Sequence, residues 1–111
     1  MIKYRGTTLY PPAIFDLLNQ VDFIKEYVVE VDSDAMGNDE LILHIHTTLT
    51  VDACEEKLKP YLQSRLRVVP ALRYHSGVEM NDMLFPAGSR KAVKFVDHRK
   101  PPQDERKSEN G

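Results

Sequence analysis

The sequence predicts a small α+β domain: a ferredoxin-like β-α-β-β-α-β sandwich with two helices on a mixed or antiparallel sheet, followed by a lysine-bearing loop and strand. Segments with helical apolar spacing are interleaved with segments whose apolar residues alternate as in strands. The length of 111 residues and the hydrophobic share of 41% fit one domain. We expect residues 1–100 to form this domain. Residues 101–111, rich in proline and charge, are expected to be a disordered tail.

The N-terminal stretch combines a short strand, a tight turn and a helix entry. Residues 2–5 read as extended, and Gly6 followed by Thr7 and Thr8 reads as a tight turn, because glycine adopts positive φ without steric cost. Pro11 and Pro12 mark a first helical turn, where missing N–H groups cost nothing. The helix has one apolar stripe, formed by Ile14, Leu17, Leu18 and Val21. A cationic strand end beside a glycine turn suits an anionic ligand, and it is equally an ordinary loop-to-helix connection.

The middle of the chain predicts a hairpin, a second helix and an edge strand. Residues 23–32 and 40–47 alternate as strands around a turn that contains Gly37, which indicates an antiparallel hairpin. Thr50 suits the N-cap of the second helix. Pro60 could kink or shorten this helix, and we expect a kinked helix that continues past it. Its apolar stripe consists of Cys54, Leu58, Tyr61, Leu62 and Leu66. Residues 68–74 read as a strand that starts late or lies at an edge because of Pro70, and residues 76–86 read as a loop.

Composition excludes several classes of function. The net charge of -2 gives no sign of nonspecific nucleic-acid binding, which a basic balance would favour. No apolar run approaches the roughly 18 residues of a membrane span. The single cysteine, Cys54, excludes an internal disulfide, reads as a core residue and fits a reducing cytoplasm.

Two histidines on one strand face raise the question of a metal. His44 and His46 are spaced to chelate an ion together, but no third ligand follows at a telling distance. We therefore expect a polar sheet face and no metal site. The acidic residues around the hairpin turn lack the register of a calcium loop and are interpreted as solvated; they are Asp32, Asp34, Asp39 and Glu40.

Lys91 is the candidate catalytic residue. It follows Gly88, Ser89 and Arg90 in a loop that leads into an alternating segment. A lysine on such a loop can reach into a site supplied by another domain and neutralise charge on a phosphate and a carboxylate. Lysines beside glycines are more often simply solvated.

Two motifs resemble core motifs of adenylate-forming enzymes, in the form found in the phenylacetate–coenzyme A ligase family. The first, similar to the eighth core motif, runs from Lys3 through Arg5-Gly6-Thr7-Thr8 to Pro11-Pro12. The second, similar to the tenth, comprises Lys91-Ala92-Val93, Lys94, Val96, Asp97 and Arg99. Arg90 departs from the pattern, because the family usually has glycine there. The two motifs bracket the chain from residue 3 to residue 100 at the separation found in the family.

The resemblance implies the mobile C-terminal domain of an acyl- or aryl-coenzyme A ligase, cut at or just after its hinge and inactive without an N-terminal adenylation domain. In such enzymes an acyl carboxylate is joined to the α-phosphate of ATP with Mg²⁺, and coenzyme A then forms the thioester. Lys91 would serve adenylation, while Arg5, Gly6 and Lys3 would contact coenzyme A. ATP and coenzyme A would be bound mainly by the N-terminal domain, and the carboxylic acid substrate is not specified.

A second hypothesis is a stand-alone ferredoxin-like domain. It would bind a small ligand or self-associate through its sheet as a homodimer in a regulatory role. This hypothesis gives Lys91 no function.

Overall fold

The computed structural model describes residues 1–86 and 89–99. Gly88 and the expected tail at 101–111 lie outside this range. The elements, in chain order, are β1 (Ile2–Tyr4), β2 (Thr7–Leu9), α1 (Pro11–Asn19), β3 (Ile24–Ser33), β4 (Asp39–Thr47), α2 (Val51–Leu66), β5 (Ala71–Tyr74), α3 (Gly77–Leu84) and β6 (Phe95–Asp97).

A four-stranded mixed sheet in the order β5-β4-β3-β6 forms the centre of the molecule. The two central strands are antiparallel and form the expected hairpin, while each outer strand runs parallel to its neighbour. The strand predicted at 68–74 starts late, at Ala71 after Pro70, and lies at the sheet edge as expected. The predicted class, helices packed on a mixed sheet, is confirmed.

The main core lies between one sheet face and the helices α1 and α2. Alternate residues of β3 and β4 are buried on this face; they are Tyr27, Val29, Val31, Leu41, Leu43 and Ile45. Ile14 and Leu18 of α1 pack against them, as does the predicted α2 stripe with Cys54. Thr50 caps α2 by accepting a hydrogen bond from the Ala53 amide at 3.2 Å. The helix continues through Pro60 to Leu66, as expected, so the proline does not shorten it.

Two features differ from the prediction in detail. The strand β1 does not join the main sheet; it pairs with β2 in a separate two-stranded sheet, and β6 lies beside β3 instead. Thr7 and Thr8, expected in the turn, belong to β2, and Arg5, expected to be extended, lies in the turn with Gly6. The expected loop at 76–86 contains the helix α3, because Ser76 and Glu79 form a capping box. Met80 and Leu84 of this helix are buried against Val28, on the face opposite the main core. Within the described parts of the chain, no helix has the length and apolar character needed to cross a membrane.

Candidate functional site

The β1–β2 turn consists of two residues with positive φ. Tyr4 and Thr7 are the last paired residues, so Arg5 and Gly6 alone connect the strands. Their φ angles are 50° and 80°, respectively. Two successive positive φ values are typical of a type I′ turn, whose backbone twist matches that of the flanking strands. The sequence therefore closes a tight hairpin at the Arg-Gly pair.

Arg5 occupies a conformation that few side chains prefer. Left-handed backbone costs an ordinary L-residue roughly 1–2 kcal/mol, and asparagine or glycine usually takes this place in type I′ turns. The guanidinium lies over the Tyr4 ring, 5.3 Å from its centroid. A strained residue whose charged side chain is exposed is a pointer to function, since nothing about the turn itself requires arginine.

The Arg-Gly turn borders a groove of about 620 Å³. One wall is formed by Lys3, Tyr4, Arg5 and Gly6, and the other by residues around the β3–β4 turn, chiefly Asp34, Asn38, Asp39 and Glu40. A Cβ placed on Gly6 would meet no heavy atom within 4 Å, so the backbone is open to approach on that side. The three residues predicted to contact a cofactor, Lys3, Arg5 and Gly6, thus line one groove, which we call the Arg-Gly groove.

Asp34 organises the acidic wall of this groove. One carboxylate oxygen accepts hydrogen bonds from the amides of Met36 and Asn38, each at 2.9 Å. The Asn38 amide is the main reason why the pKa of Asp34 lies below its usual value. Asp34 is therefore partly exposed to solvent, as expected, and also holds the β3–β4 turn through its hydrogen bonds.

Asp39 connects this wall to both ends of the described chain. Its Oδ2 atom accepts hydrogen bonds from the Lys3 amide at 2.9 Å and from Nη1 of Arg99 at 3.0 Å. Arg99 also donates to the Met1 carbonyl at 2.9 Å and grips Asp97 through Nε and Nη2 at 3.0 and 2.8 Å. The hydrogen bonds between the Arg99 and Asp97 side chains are the main reason why the pKa of Asp97 is lowered and that of Arg99 is raised. Asp39 is also not merely solvated, and no sequence signal paired it with Arg99.

Lys91 lies outside the Arg-Gly groove. Its side chain is exposed, and its carbonyl accepts a hydrogen bond from the Ser89 hydroxyl at 2.8 Å. The segment that follows Lys91 is hydrogen-bonded to both α3 and β3. The Val93 amide donates to the Leu84 carbonyl of α3 at 2.7 Å, and the Lys94 carbonyl accepts from the Val29 amide of β3 at 2.8 Å. Lys91 precedes β6, whereas Arg99 follows it, so this strand separates Lys91 from the Asp39 end of the sheet.

The polar sheet face carries a network of histidines beside α3. His44 contacts His75 at 2.8 Å through Nδ1 and Glu30 at 2.6 Å through Nε2, and His98 contacts the other oxygen of Glu30 at 3.2 Å. His46 contacts the His75 carbonyl at 3.1 Å. In the part of the chain that the structure describes, no three histidine, cysteine or acidic side chains are arranged to hold a metal ion. The network instead links β3 and β4 to the entry of α3 and to the segment after β6.

Comparison of the structure with solved structures identifies a class of fold, that of coenzyme A ligase domains. A domain of phenylacetate-coenzyme A ligase from Bacteroides vulgatus ATCC 8482 has a TM-score of 0.63 and 20% sequence identity, covering 90% of this chain and 93% of that one. A second similar structure is 2-hydroxyisobutyryl-CoA ligase in complex with 2-HIB-AMP and CoA in the thioesterification state. It has a TM-score of 0.58 and 22% identity over 86% of this chain.

These likenesses confirm the predicted resemblance at the level of the fold. The present chain spans 20% of the 2-hydroxyisobutyryl-CoA ligase chain, so it corresponds to one part of that enzyme. No protein-family model matches the sequence, and comparison with curated proteins gives no match. The chain therefore has the fold of a coenzyme A ligase domain.

Proposed function

We propose that this chain is the C-terminal domain of an ATP-dependent acyl- or aryl-coenzyme A ligase and that its Arg-Gly groove contacts coenzyme A. The main support is the meeting of Lys3, Arg5 and Gly6 in one groove, on a domain with the fold of a phenylacetate-coenzyme A ligase domain. Two cations can pair with the phosphates of coenzyme A. The open backbone at Gly6 admits a slender pantetheine arm.

Lys91 is the proposed adenylation lysine. Its side chain is exposed on a segment fixed at Val93 and Lys94, so it can extend from a stable base into a site on another domain. There its ammonium would neutralise charge as the substrate carboxylate attacks the α-phosphate of ATP and pyrophosphate leaves. Coenzyme A would then displace AMP through its thiol. Lys91 and the Arg-Gly groove lie apart on the domain, which suits two half-reactions served by different faces.

The proposal requires an N-terminal adenylation domain that holds most of the ATP, Mg²⁺ and acid-binding groups. The described residues fit this division, since Lys3, Arg5 and Gly6 offer contacts to phosphate and backbone but no enclosed nucleotide cavity. The isolated chain is accordingly expected to be inactive as a ligase and to bind coenzyme A weakly.

The test is a titration of the ¹⁵N-labelled chain with coenzyme A, followed by NMR. We expect amide shifts confined to Lys3, Arg5, Gly6 and the β3–β4 turn, with a dissociation constant of about 1 mM, equivalent to roughly -4 kcal/mol. Replacing both Lys3 and Arg5 by alanine should abolish these shifts. The matched control is Lys57→Ala, which removes an exposed cation on α2 and should leave them unchanged.

Three outcomes would overturn the assignment of the groove. The first is the absence of any shift at coenzyme A concentrations well above the expected constant, and the second is shifts confined to the histidine network. The third is concentration-dependent line broadening along β5 or β6 without added ligand, which would favour the self-associating stand-alone domain instead. Pantetheine without its phosphates serves as a further probe and should bind more weakly than coenzyme A, because it lacks the groups that pair with Lys3 and Arg5.

A further inference from the structure

The Asp97-x-Arg99 pair ends the second motif, yet the proposed function gives it no role. The guanidinium of Arg99 makes four hydrogen bonds in the structure, two to Asp97, one to Asp39 and one to the Met1 carbonyl. The Met1 and Asp39 contacts span 98 and 60 positions of sequence. We infer that Arg99 is a positioning residue that, through Asp39, holds β1 and the Arg-Gly turn against the main sheet. The inference rests on the proposed function, because it assigns Arg99 to the coenzyme A groove.

The geometry shows where Arg99 can act on β1. The strand has three residues and belongs to a separate two-stranded sheet, so the ladder of the main sheet does not hold it. Ile2 and Tyr4 pack into the main core, and the polar contacts of the β1 backbone add to that packing. Lys3 lies opposite Thr8 in a hairpin whose last pair is Tyr4 and Thr7. In an antiparallel ladder such a residue turns its N–H away from the partner strand. That N–H donates to Asp39 at 2.9 Å, and Arg99 holds the same carboxylate oxygen.

Shielding from solvent makes these contacts stronger than an ordinary surface ion pair. The side chains of Arg99 and Asp39 are only 22% and 18% exposed, respectively. Exposed ion pairs contribute little because water screens them and long side chains lose freedom, whereas a two-pronged arginine–carboxylate pair with a fixed geometry is an exception. Asp97 supplies that geometry by accepting hydrogen bonds from Nε and Nη2 of Arg99. Nη1 is then placed to donate to Asp39 and to the Met1 carbonyl.

Lysine can replace arginine only in part in this role. Its ammonium has three donors on a flexible stem and lacks the planar fork that binds Asp97 while reaching two further acceptors. The tenth-motif segment and the Arg-Gly turn are therefore mechanically joined by one side chain. The position of Lys3, Arg5 and Gly6 in the groove therefore depends on Arg99, which lies on the same segment as Lys91.

The experiment compares Arg99→Gln, Arg99→Lys and Asp39→Asn with the original chain, using amide hydrogen exchange and coenzyme A titration. We expect the Lys3 amide to exchange at least about tenfold faster in all three variants, because its acceptor is released or weakened. The coenzyme A dissociation constant should rise by about five- to tenfold in R99Q and D39N, with only partial recovery in R99K. Arg65→Gln on α2 is the matched control and should change neither quantity.

A purely structural role would give a different result. Urea titration identifies conditions in which each variant stays folded, and the two readouts are compared there; D39N, which keeps the side-chain shape, serves if R99Q does not fold. An unchanged rate of hydrogen exchange at the Lys3 amide would overturn the inference that Arg99 holds β1. Faster exchange with unchanged coenzyme A affinity would overturn the role of Arg99 in positioning the groove. If the original chain does not bind coenzyme A, the proposed function fails by itself, and the exchange data still decide whether Arg99 orders β1.

Discussion

Arg5 and Gly6 share the two-residue β1–β2 turn, and both have positive φ, 50° and 80°. Glycine meets this requirement freely, but arginine does so against its preference. The pair thus combines a residue that the backbone needs with one that the backbone only tolerates. Separate substitutions of Arg5 and Gly6 can test which residue serves the stability of the turn and which serves binding.

Arg5→Asn should stabilise the domain and weaken coenzyme A binding. Asparagine is favoured at the first position of a type I′ turn, so we expect the free energy of unfolding to rise by up to about 1 kcal/mol. The lost guanidinium should at the same time reduce the coenzyme A shifts at Lys3 and Gly6. Urea denaturation and NMR titration measure the two effects. Arg5→Lys is the control that keeps the charge; a loss of stability in R5N would show that Arg5 holds the turn.

Gly6→Ala should destabilise the domain by about 1–2 kcal/mol, because alanine is strained at positive φ. The matched control is Gly37→Ala, since Gly37 has φ of 84° in the β3–β4 turn and likewise has open space around a Cβ. We expect similar losses of stability in the two variants, measured by urea denaturation, but weaker coenzyme A binding chiefly in G6A. Equal effects on binding would argue against direct approach of the ligand to Gly6.

Lys91→Ala should leave the stability of this domain unchanged, because the side chain is exposed. In a chain that also carries the proposed adenylation domain, we expect acyl-adenylate formation to fall by about 10²- to 10³-fold. Thioester formation from supplied acyl-adenylate should persist. Arg90→Ala, which removes the neighbouring exposed cation, is the control. Equal loss of both half-reactions in K91A would show that Lys91 does not act specifically in adenylation.

The Asp97–Arg99 pair should make stability depend on acid pH. Because Arg99 lowers the pKa of Asp97 in the folded state, the stabilisation is complete above the ordinary aspartate pKa of about 3.9 and is lost as the pH falls through the lower folded value. Asp97→Asn should therefore give a flatter dependence of unfolding free energy on pH below 4. Urea denaturation between about pH 2 and 6 measures it. Asp16→Asn, on the exposed side of α1, is the control, and an equal flattening there would contradict the assignment to Asp97.

Ser76→Ala should destabilise α3. The hydroxyl accepts from the Glu79 amide at 3.2 Å, and the Glu79 carboxylate accepts from the Ser76 amide at 3.0 Å. Loss of an N-cap side chain costs about 1 kcal/mol. A larger increase in the hydrogen-exchange rate in α3 than in α2, relative to the original chain, would show that the loss is local to α3. Ser64→Ala, an exposed serine within α2, is the control; a uniform change in exchange across both helices would indicate a global effect instead.

Much of the fold could be predicted because local patterns and the packing agree. The alternation in β3 and β4 selects one buried face, and the stripe from Cys54 to Leu66 selects the face that α2 turns towards it. Ser76 and Glu79 have the spacing of a capping box in the sequence. The helix that follows them was not predicted, because it is short and its apolar residues show only weak helical periodicity. The placement of β1 was not predictable locally, since a strand of three residues carries no information about its partner.

The sequence by itself determined the α+β class, the hairpin, the order of the main elements and the chemical identity of the Arg-Gly turn. These follow from spacing, proline and glycine positions and side-chain type, which act within a few residues. Only the tertiary structure decided that Lys3, Arg5 and Gly6 share a groove with the β3–β4 turn, and that Arg99 meets Asp39. Contacts across 60 positions depend on how the sheet and the N-terminal hairpin pack together, and no local pattern specifies that arrangement.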